Sequence, residues 1–390
     1  MTESPSASRR TDDESTRREK RYFHGTHRTR SPEATWQRIA GVLPDLGITR
    51  VADVTALDCL GIPVFQAVRP ASWNLSVSQG KALTPEAARV SGVMESIELW
   101  HAERLDHLPS VTLPLREMQY GNAVATKDLK LRSDTWRLEA LPMPWVEASP
   151  LTGSSSAWLP RAMLELDFRV PNRLEPNPFH LTSNGLASGN CLEEALLHGL
   201  CELVERHGLY RAFQDPETRV AIDIESIEEP YLLDLVERMH CSGMKLAVYD
   251  LTFDIGVPVI LVDLMARDLP QIWRGAGCHP SPQIALSRAL TEAAQARLTY
   301  ISGARDDILS FPREMDAEER FKAFESPEPV RRMEQIAELS TQDVDADLQK
   351  VIEYLDAANY EAFYVDLSRE NLGIPVITAF VPGLREAPHV

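Results

Sequence analysis

Three stretches of the chain combine a helical spacing of apolar residues with clear start and stop signals. The first begins at Thr84-Pro85, where a capping residue precedes a proline in the first turn. The second has Asn190 as its predicted N-cap, Glu193 as the capping partner and Gly208 near its end. The third begins at Ser281-Pro282. The sequence therefore predicts three long helices, over about residues 84–104, 190–208 and 281–302.

Outside these helices, a short phrase occurs three times and joins an apolar stretch to a β-branched run through Gly-x-Pro. Glycine and proline interrupt regular structure, so this pattern is typical of a strand, a turn and a second strand. A proline so close to the start of a strand suits an edge or first-residue position. We predict three related β-hairpins, at Asp53–Val64, Asp250–Val259 and Asp366–Val376.

The remaining segments carry weaker patterns. Residues 1–25 are polar and mixed in charge, and we expect a disordered tail there. Residues 140–182 are rich in Pro, Ser and Asn, which indicates a long irregular connection with one strand at Met163–Val170. Residues 305–350 are highly charged, and we expect peripheral helices without chemistry. The sequence thus predicts a single composite α/β domain (α+β in character) over residues 26–390.

Composition narrows the class of protein. The chain is 44% hydrophobic and 25% charged, as globular proteins are. It has no apolar run of about 18 residues, so we expect no membrane span. A net charge of −18 disfavours a general nucleic-acid binder. The five cysteines are scattered without CxxC spacing, which favours reduced thiols and a cytoplasmic location over a zinc site.

The acidic residues cluster on two of the predicted helices. At about 100° per residue, the polar side chains of the first helix share an arc of about 60°, and those of the second an arc of about 120°. Clustered glutamates are usually a solvated face, but small residues just before the second helix would let an anion approach its backbone. Paired carboxylates beside such a loop suit Mg²⁺. The residues are Ser91, Glu95 and Glu98 on the first helix and Glu194, Glu202, Glu205 and Arg206 on the second.

The third helix has a mixed polar stripe of Arg288, Glu292 and Gln295, whereas Arg297 points toward the apolar face. Arg297 is therefore either paired in the core or in contact with a ligand. The loop that ends at Lys81 resembles part of a phosphate loop, although the Walker A spacing is absent. His101 and His198 lie near the acidic faces, where a structural role is the commoner one for a single histidine.

These residues, taken together, resemble the YcaO family over roughly residues 28–385. The joint spacing across two helices makes the resemblance specific. The matching segments are Ser78-Gln-Gly-Lys81, Ser91-x3-Glu95-x2-Glu98, Gly185-Leu-Ala-Ser-Gly-Asn190, Asn190-x3-Glu194-x7-Glu202-x2-Glu205-Arg206, Gly275-Ala-Gly-Cys-His279 and Ala289-Leu-Thr-Glu292-x2-Gln295-x-Arg297.

The resemblance implies a YcaO-like fold, in which strand-turn-strand units and long helices surround a central ATP site with Mg²⁺ held by glutamates. Arg28 and Thr35 are implied as further nucleotide contacts. Carried over position by position, the implied Mg²⁺ shell is Glu95, Glu98, Glu194, Glu202 and Glu205, and the implied ATP contacts are Ser91, Asn190 and Arg206, with Lys81 and one of Arg288 or Arg297 at the phosphates.

Members of this family activate a backbone amide of a ribosomally made peptide, with ATP phosphorylating the oxyanion formed by nucleophilic addition. The resemblance implies ring formation, as an azoline or a macrocyclic amidine, with thioamidation beside a TfuA-like partner as the alternative. Two departures from the family pattern are present. Ala82 follows Lys81 where many relatives have Gly, so we expect the loop to sit differently over the phosphates. The alternating-proline tail common in partner-dependent azoline-forming members is absent, which favours a stand-alone cyclase or a TfuA-partnered thioamide former. A precursor peptide is the implied partner, and a homodimer is an expectation from the family. A non-catalytic ATP-binding helper is the alternative from another class.

Overall fold

Helices and strands are mixed along the described part of the chain, as the sequence predicts. The computed structural model describes residues 18–120, 129, 131, 138–153, 155–169, 178–305 and 316–386. The helices in these residues are α1 (Pro32–Ile39), α2 (Pro85–Ala102), α3 (Arg161–Leu164), α4 (Leu192–Gln214), α5 (Pro230–Cys241), α6 (Pro282–Ser302), α7 (Ala317–Ala323) and α8 (Val344–Ala357).

The strands of the described residues belong to three sheets. The sheet orders are β1-β2-β3, β11-β10-β9-β8-β12 and β4-β5-β13-β14-β7, and β6 pairs with β5. The strands are β1 (Arg50–Asp53), β2 (Val64–Val68), β3 (Val77–Lys81), β4 (Val111–Pro114), β5 (Pro142–Pro150), β6 (Ala157–Pro160), β7 (Leu186–Ser188), β8 (Val220–Asp223), β9 (Lys245–Asp250), β10 (Val259–Met265), β11 (Ile272–Cys278), β12 (Arg331–Arg332), β13 (Phe363–Asp366) and β14 (Val376–Phe380).

Each sheet contains one copy of the same unit, an antiparallel hairpin with a third antiparallel strand that leads directly into a long helix. The units are β1-β2-β3 with α2, β9-β10-β11 with α6, and β13-β14-β7 with α4. In the last unit the chain order is changed, because β7 and α4 come first and the hairpin is the final one described. The three predicted hairpins are confirmed, and their helices meet at one place.

The repeated hairpin phrase has a shared local chemistry. In the first copy, the carboxylate of Asp53 accepts a hydrogen bond from the Thr55 amide (3.0 Å), and the Thr55 hydroxyl accepts one from the Val64 amide (3.1 Å). The same two bonds recur at the other copies. An Asp or Thr side chain that binds a nearby amide stabilises a turn, so the phrase closes each hairpin locally. The glycine before the proline has a positive φ in all three copies: 62° at Gly61, 81° at Gly256 and 62° at Gly373.

The helices pack unusually close to their own strands. A Cβ added at Gly80 on β3 would lie 2.0 Å from the backbone nitrogen of Gly92 on α2. One added at Gly275 on β11 would lie 2.0 Å from the carbonyl oxygen of Ala289 on α6. Only glycine allows this approach. It brings the middle of each helix within hydrogen-bonding reach of strand amides.

Several boundary predictions are wrong. Cys191, not Asn190, is the N-cap of α4, without a side-chain bond, and the helix continues to Gln214. Glu193 pairs with Arg18 instead of capping the helix. The strand expected at 163–170 is absent from its described residues, which form the end of α3 and an irregular segment. Met163 and Leu164 lie in the helical turn α3 and their side chains are buried, so the apolar residues of this segment pack in the core without forming a strand.

The described parts of two segments, the tail expected to be disordered and the charged stretch expected to be peripheral, pack against the rest of the protein. The described part of the N-terminal tail begins at residue 18, and Lys20 is buried, with its ammonium 2.5 Å from Asp347 on α8. Residues 1–17 lie outside the described residues. Helix α8, which begins within the charged segment 305–350, packs against α4 through buried Leu348 and Val351. Among the described residues, no helix has the length and apolar character needed to cross a lipid bilayer.

Candidate functional site

The three long helices carry equivalent polar positions. Ten residues after the first residue of α2, α4 and α6, each helix has a glutamate: Glu95, Glu202 and Glu292. Three residues further on stand Glu98, Glu205 and Gln295. Six residues after the start stand Ser91, His198 and Arg288. The repeated unit therefore directs three copies of one polar stripe toward a common centre.

The first glutamate of each stripe is fixed by an amide of its own unit. Glu95 accepts a hydrogen bond from the Gln79 amide of β3, and Glu202 accepts one from the Gly185 amide just before β7, both at 3.0 Å. Glu292 is bound by the Ala276 amide of β11 in its own unit, and in addition by Lys81, whose ammonium lies 2.5 Å from its carboxylate. These bonds aim one carboxylate oxygen at the strand and leave the other directed away from it.

The second glutamates of the two acidic stripes are bound differently, Glu98 by a strand of another unit and Glu205 by a residue of its own helix. Glu98 accepts two hydrogen bonds through one oxygen, from the amide (2.8 Å) and the hydroxyl (2.5 Å) of Ser188 on β7. Glu205 lies 3.5 Å from the guanidinium of Arg206, which also lies 3.6 Å from Glu202. The charges of Glu95 on α2 and Glu202 on α4 both act on Glu98, so the predicted acidic faces of the two helices lie next to each other.

Burial raises the pKa of these carboxyl groups. The pKa of Glu98 rises to about 8 because burial disfavours its charged form, with a further contribution from Glu95 and Glu202. Burial likewise raises the pKa of Glu205 to about 7 and the pKa values of Glu95 and Glu202. Burial acts in the same direction on Glu292, but the charges of Lys81 and Arg206 outweigh it and lower its pKa. The carboxyl groups of α2 and α4 thus have too little positive charge around them to stabilise their ionised forms, and a divalent cation would supply that charge.

A small cationic cavity adjoins the carboxylates. It is lined by Arg28, Arg288 and His198, among others. Burial, and then the charge of Arg288, lowers the pKa of His198 well below its usual range, so this histidine is neutral. Burial also lowers the pKa of Arg28, and the neighbouring Arg288 contributes. Two partly buried guanidinium groups next to each other favour an anion between or beside them.

Most of the predicted site residues are brought together, and one is not. Arg297 is buried, and its guanidinium binds Asp58 (3.1 Å) and Asp268 (2.6 Å) on a different face of α6. The expectation that Arg297 could contact phosphate is therefore corrected, because its hydrogen-bonding capacity is used within the protein. His101 is buried and bonded to the Ile97 carbonyl, as a structural histidine would be.

Asn190 and Thr35 lie at the start of α4. The Thr35 hydroxyl donates to the Asn190 side chain at 2.8 Å, and the Asn190 amides donate to Glu194 at 2.9 and 3.0 Å. Pattern reasoning missed the partners that orient the carboxylates, above all Thr29 and Ser188. It placed Glu292 on a stripe without assigning it a role. The signal for Glu292 was present in the sequence, because its distance from the helix start equals that of Glu95 and Glu202.

The geometry defines a class of site. Glu95, Glu98, Glu202 and Glu205 lie near enough for their charges to act on one another. In the described residues, Glu95, Glu98 and Glu205 each keep one oxygen without a hydrogen-bond donor, whereas Glu202 is bound by the Gly185 amide and by Arg206. Hard divalent cations prefer carboxylate oxygens, and Mg²⁺ in particular is shared between carboxylates and phosphates. The adjoining guanidinium groups suit the phosphates. The donor set therefore fits a Mg²⁺–nucleotide complex.

A family model described as YcaO cyclodehydratase, ATP- and Mg²⁺-binding, matches residues 79–385. The match covers well over half of the chain, so this protein belongs to the YcaO family. The fold prediction is confirmed, and ATP and Mg²⁺ are the cofactors that the family description names. The sequence-based recognition of the family is likewise confirmed.

The chain is also similar to several curated proteins. A Methanothermobacter thermautotrophicus protein of uncharacterized function is 33% identical over 90% of this chain and 94% of its own length. A Mycobacterium tuberculosis protein is 40% identical over 74% of this chain, and the match spans 65% of that protein's length. A Rhizobium leguminosarum bv. trifolii protein, described as lying in the tfuA 3′ region, is 39% identical over 71% of this chain and 68% of its own length.

Solved structures show the same fold. A YcaO protein from Methanopyrus kandleri, described as bound with AMPPCP and Mg²⁺, matches with a TM-score of 0.75 and 24% identity, covering 93% of both chains. A structure described as a heterocyclase in complex with substrate and cofactor matches with a TM-score of 0.78 and 24% identity. That match covers 95% of this chain but 54% of the heterocyclase. At this identity the likeness supports the fold alone.

Proposed function

We propose that this protein uses ATP and Mg²⁺ to activate a backbone amide of a peptide. The observation that carries the proposal is a group of four glutamates, with Glu205 buried and the other three partly buried, whose pKa values are raised and which lie beside the Arg28–Arg288 cavity. A solvated acidic face has no reason to be buried against another one. In this proposal Glu95, Glu98, Glu202 and Glu205 hold Mg²⁺, and Ser91, Asn190, Arg206, Arg288 and Lys81 surround the nucleotide.

Each group has a defined task in such a reaction. ATP supplies the phosphoryl group that turns the amide oxygen into a leaving group after a nucleophile has added to the carbonyl. Arg206 holds Glu202 and Glu205 in place and offsets part of their charge. Arg288 and Arg28 provide positive charge where phosphate charge accumulates. Phosphoryl transfer requires mostly positioning and charge neutralisation, which these residues provide.

The product depends on the nucleophile. A ring forms when the nucleophile belongs to the substrate peptide, whereas a thioamide forms when sulfur comes from outside. Ring formation was the leading expectation from the sequence. The Rhizobium relative in the tfuA region supports the thioamide alternative, with a TfuA-like protein as partner. A homodimer and a cytoplasmic location stay predictions.

Incubation of the protein with ATP, Mg²⁺ and candidate peptides tests both products. Loss of one water from the peptide indicates a ring. Exchange of one oxygen for sulfur, in the presence of sulfide and a TfuA-like protein, indicates a thioamide. Peptides encoded near the gene, with and without core Cys, Ser or Thr, are suitable substrates. Phosphate release should depend on the peptide.

The alternative from another class is a nucleotide-binding helper without its own chemistry. Such a helper would bind ATP and Mg²⁺ but would release no phosphate in response to any peptide tested, alone or with the partner. That result would contradict the proposed activation. The variant Glu353→Gln is a matched control for a Glu→Gln substitution in the cluster, because it removes an exposed carboxylate on α8 that is not part of the cluster.

A further inference from the structure

Glu194 differs from the other glutamates of the predicted Mg²⁺ shell. One of its oxygens accepts hydrogen bonds from the amide (2.5 Å) and the hydroxyl (2.7 Å) of Thr29. The other oxygen accepts bonds from the amide (2.9 Å) and the side chain (3.0 Å) of Asn190. The side chain is buried, with 3% of the residue exposed. Both carboxylate oxygens are therefore occupied by donors of the protein.

A carboxylate has about four lone-pair directions, two on each oxygen. Glu194 uses all of them, whereas Glu98 accepts its two bonds through a single oxygen and Glu202 accepts one from the Gly185 amide. A Mg²⁺ ion bound to Glu194 would have to displace a donor and leave it unpaired in a buried place, which is unfavourable. The arrangement of Glu194 is that of a structural acceptor.

The donor Thr29 belongs to an N-terminal segment, residues 18–30, which we name the strap. The strap is fastened at several points before it reaches the site. Arg18 pairs with Glu193 (2.8 Å), and the Lys20 ammonium binds Asp347 (2.5 Å) and the Thr341 carbonyl (2.6 Å). His27, Asp347 and His279 lie close enough together to suggest a metal site, but the Lys20 ammonium contacts both His27 (3.1 Å) and Asp347.

The strap ends at the cavity beside the carboxylates. Arg28 immediately precedes Thr29, and its guanidinium lies near Glu194, Arg288 and Glu98. The two bonds from Thr29 to Glu194 are the contacts nearest to Arg28 that join the strap to α4. The strap is also held at Arg18 and Lys20, by the contact of the His27 ring with His279 and by the pairing of Tyr22 with Arg28, but the Thr29 bonds are the ones adjacent to Arg28.

We propose that Glu194 is a positioning residue, which fastens the strap through Thr29 and so holds Arg28 at the phosphate cavity, and that it is not a ligand of Mg²⁺. The proposal deepens the proposed function and rests on it for the identity of the anion. It corrects the assignment of Glu194 to the metal shell. Asn190, which binds the second oxygen of Glu194, joins α1 to the same arrangement through Thr35.

The test compares Glu194→Gln, Thr29→Val and Glu202→Gln, with Thr29→Ser as the conservative control. Binding of the non-hydrolysable analogue AMPPCP is measured by calorimetry over a range of Mg²⁺ concentrations. Glu194→Gln and Thr29→Val should each weaken analogue binding by about tenfold, the effect of losing one hydrogen bond to a charged group. In both variants, the Mg²⁺ concentration that gives half of the maximal AMPPCP binding should not change. Thr29→Ser should bind like the parent protein, whereas Glu202→Gln should require more Mg²⁺.

Hydrogen exchange of the strap amides gives a second readout that needs no nucleotide. Exchange in residues 18–30 should accelerate in Glu194→Gln and Thr29→Val and not in Glu202→Gln, with circular dichroism confirming that all variants are folded. A raised Mg²⁺ requirement in Glu194→Gln but not in Thr29→Val would overturn the proposal, as would unchanged exchange in both. Because exchange does not depend on peptide chemistry, failure of the proposed function would be recognised separately.

Discussion

The polar stripes of α2 and α4 differ from the equivalent stripe of α6. Both of the former carry two glutamates, and the pKa values of these four carboxyl groups are raised by burial. The stripe of α6 has one glutamate, followed by Gln295, and the pKa of Glu292 is lowered by Lys81 and Arg206. Arg288 on α6 occupies the position held by Ser91 on α2. The same structural unit thus carries an excess of negative charge on α2 and α4 and a balanced charge on α6. We call the stripes of α2 and α4 the acidic arms and the stripe of α6 the balanced arm.

The difference has a physical reason in the proposed complex. Mg²⁺ requires carboxylates that are not already neutralised, and the phosphates require positive charge on another side. If all three arms carried two unpaired glutamates, their mutual repulsion and the burial of so much charge would be unfavourable. The pairing of Lys81 with Glu292 avoids this, and Arg288 adds positive charge to the cavity. The repeated fold therefore places the groups, and substitutions within the repeat decide their charge.

The largest effect is expected from removing a charge on an acidic arm. Glu202→Gln keeps an acceptor for the Gly185 amide but lowers the affinity for the cation. Loss of one group that stabilises a phosphoryl-transfer transition state costs about a hundredfold or more in rate. Peptide-dependent phosphate release, measured with a coupled assay, should fall by at least this amount.

Gln295→Glu and Glu353→Gln serve as controls for this variant. The first makes the α6 stripe as acidic as the others and should weaken folding without replacing the function of Glu202. The second, at an exposed position on α8, should retain the parent rate. Parent-like turnover in Glu202→Gln would mean that the acidic arms do not hold a catalytic cation.

Parts of this comparison could be predicted from the sequence, because they depend on local chemistry. The hairpins follow from Asp, Thr or Ser, Gly and Pro within about a dozen residues, and the stripes follow from the helical period. Contacts between distant segments could not be predicted in this way. Thr29 contacts Glu194 across 165 positions, and Arg297 contacts Asp58 across 239. The helical period gave the direction of Arg297 correctly and left its partner open.

A second test concerns Arg297, which lies on a different face of α6 from the polar stripe. Arg297→Met removes a cation that binds Asp58, which is almost fully buried, so one carboxylate is left without its partner. Breaking a buried ion pair on one side costs about 3 kcal/mol. Urea unfolding should show this loss, while the affinity for AMPPCP and Mg²⁺ stays at the parent value. A large loss of affinity with unchanged stability would instead place Arg297 at the nucleotide.

A smaller effect is expected at the Lys81–Glu292 pair, whose side chains are partly exposed. Lys81→Met leaves Glu292 without the charge that lowers its pKa, and should reduce the free energy of unfolding by about 1 kcal/mol. The double variant Lys81→Met/Glu292→Gln should recover part of this loss, because no unpaired carboxylate remains. A double-mutant cycle in urea measures the coupling. Strictly additive losses would show that the pair does not balance the α6 arm.

The smallest effect is the pH dependence of the Mg²⁺-free protein. Glu98 and Glu205 have their pKa values raised from the ordinary 4.5 to about 8 and about 7, so the folded state binds more protons than the unfolded state between these limits. Its free energy of unfolding should therefore fall as the pH rises from about 4.5 to about 8. Mg²⁺ binds the ionised carboxylates, so the gain in melting temperature on adding Mg²⁺ should be larger at about pH 8 than at about pH 6. Glu98→Gln removes the group with the higher of the two pKa values. It should weaken both the fall of the free energy of unfolding with pH and the pH dependence of the Mg²⁺ effect. Equal Mg²⁺ effects at the two pH values, in the parent and the variant, would show that the acidic arms are ionised before the cation arrives and would remove the contrast with α6.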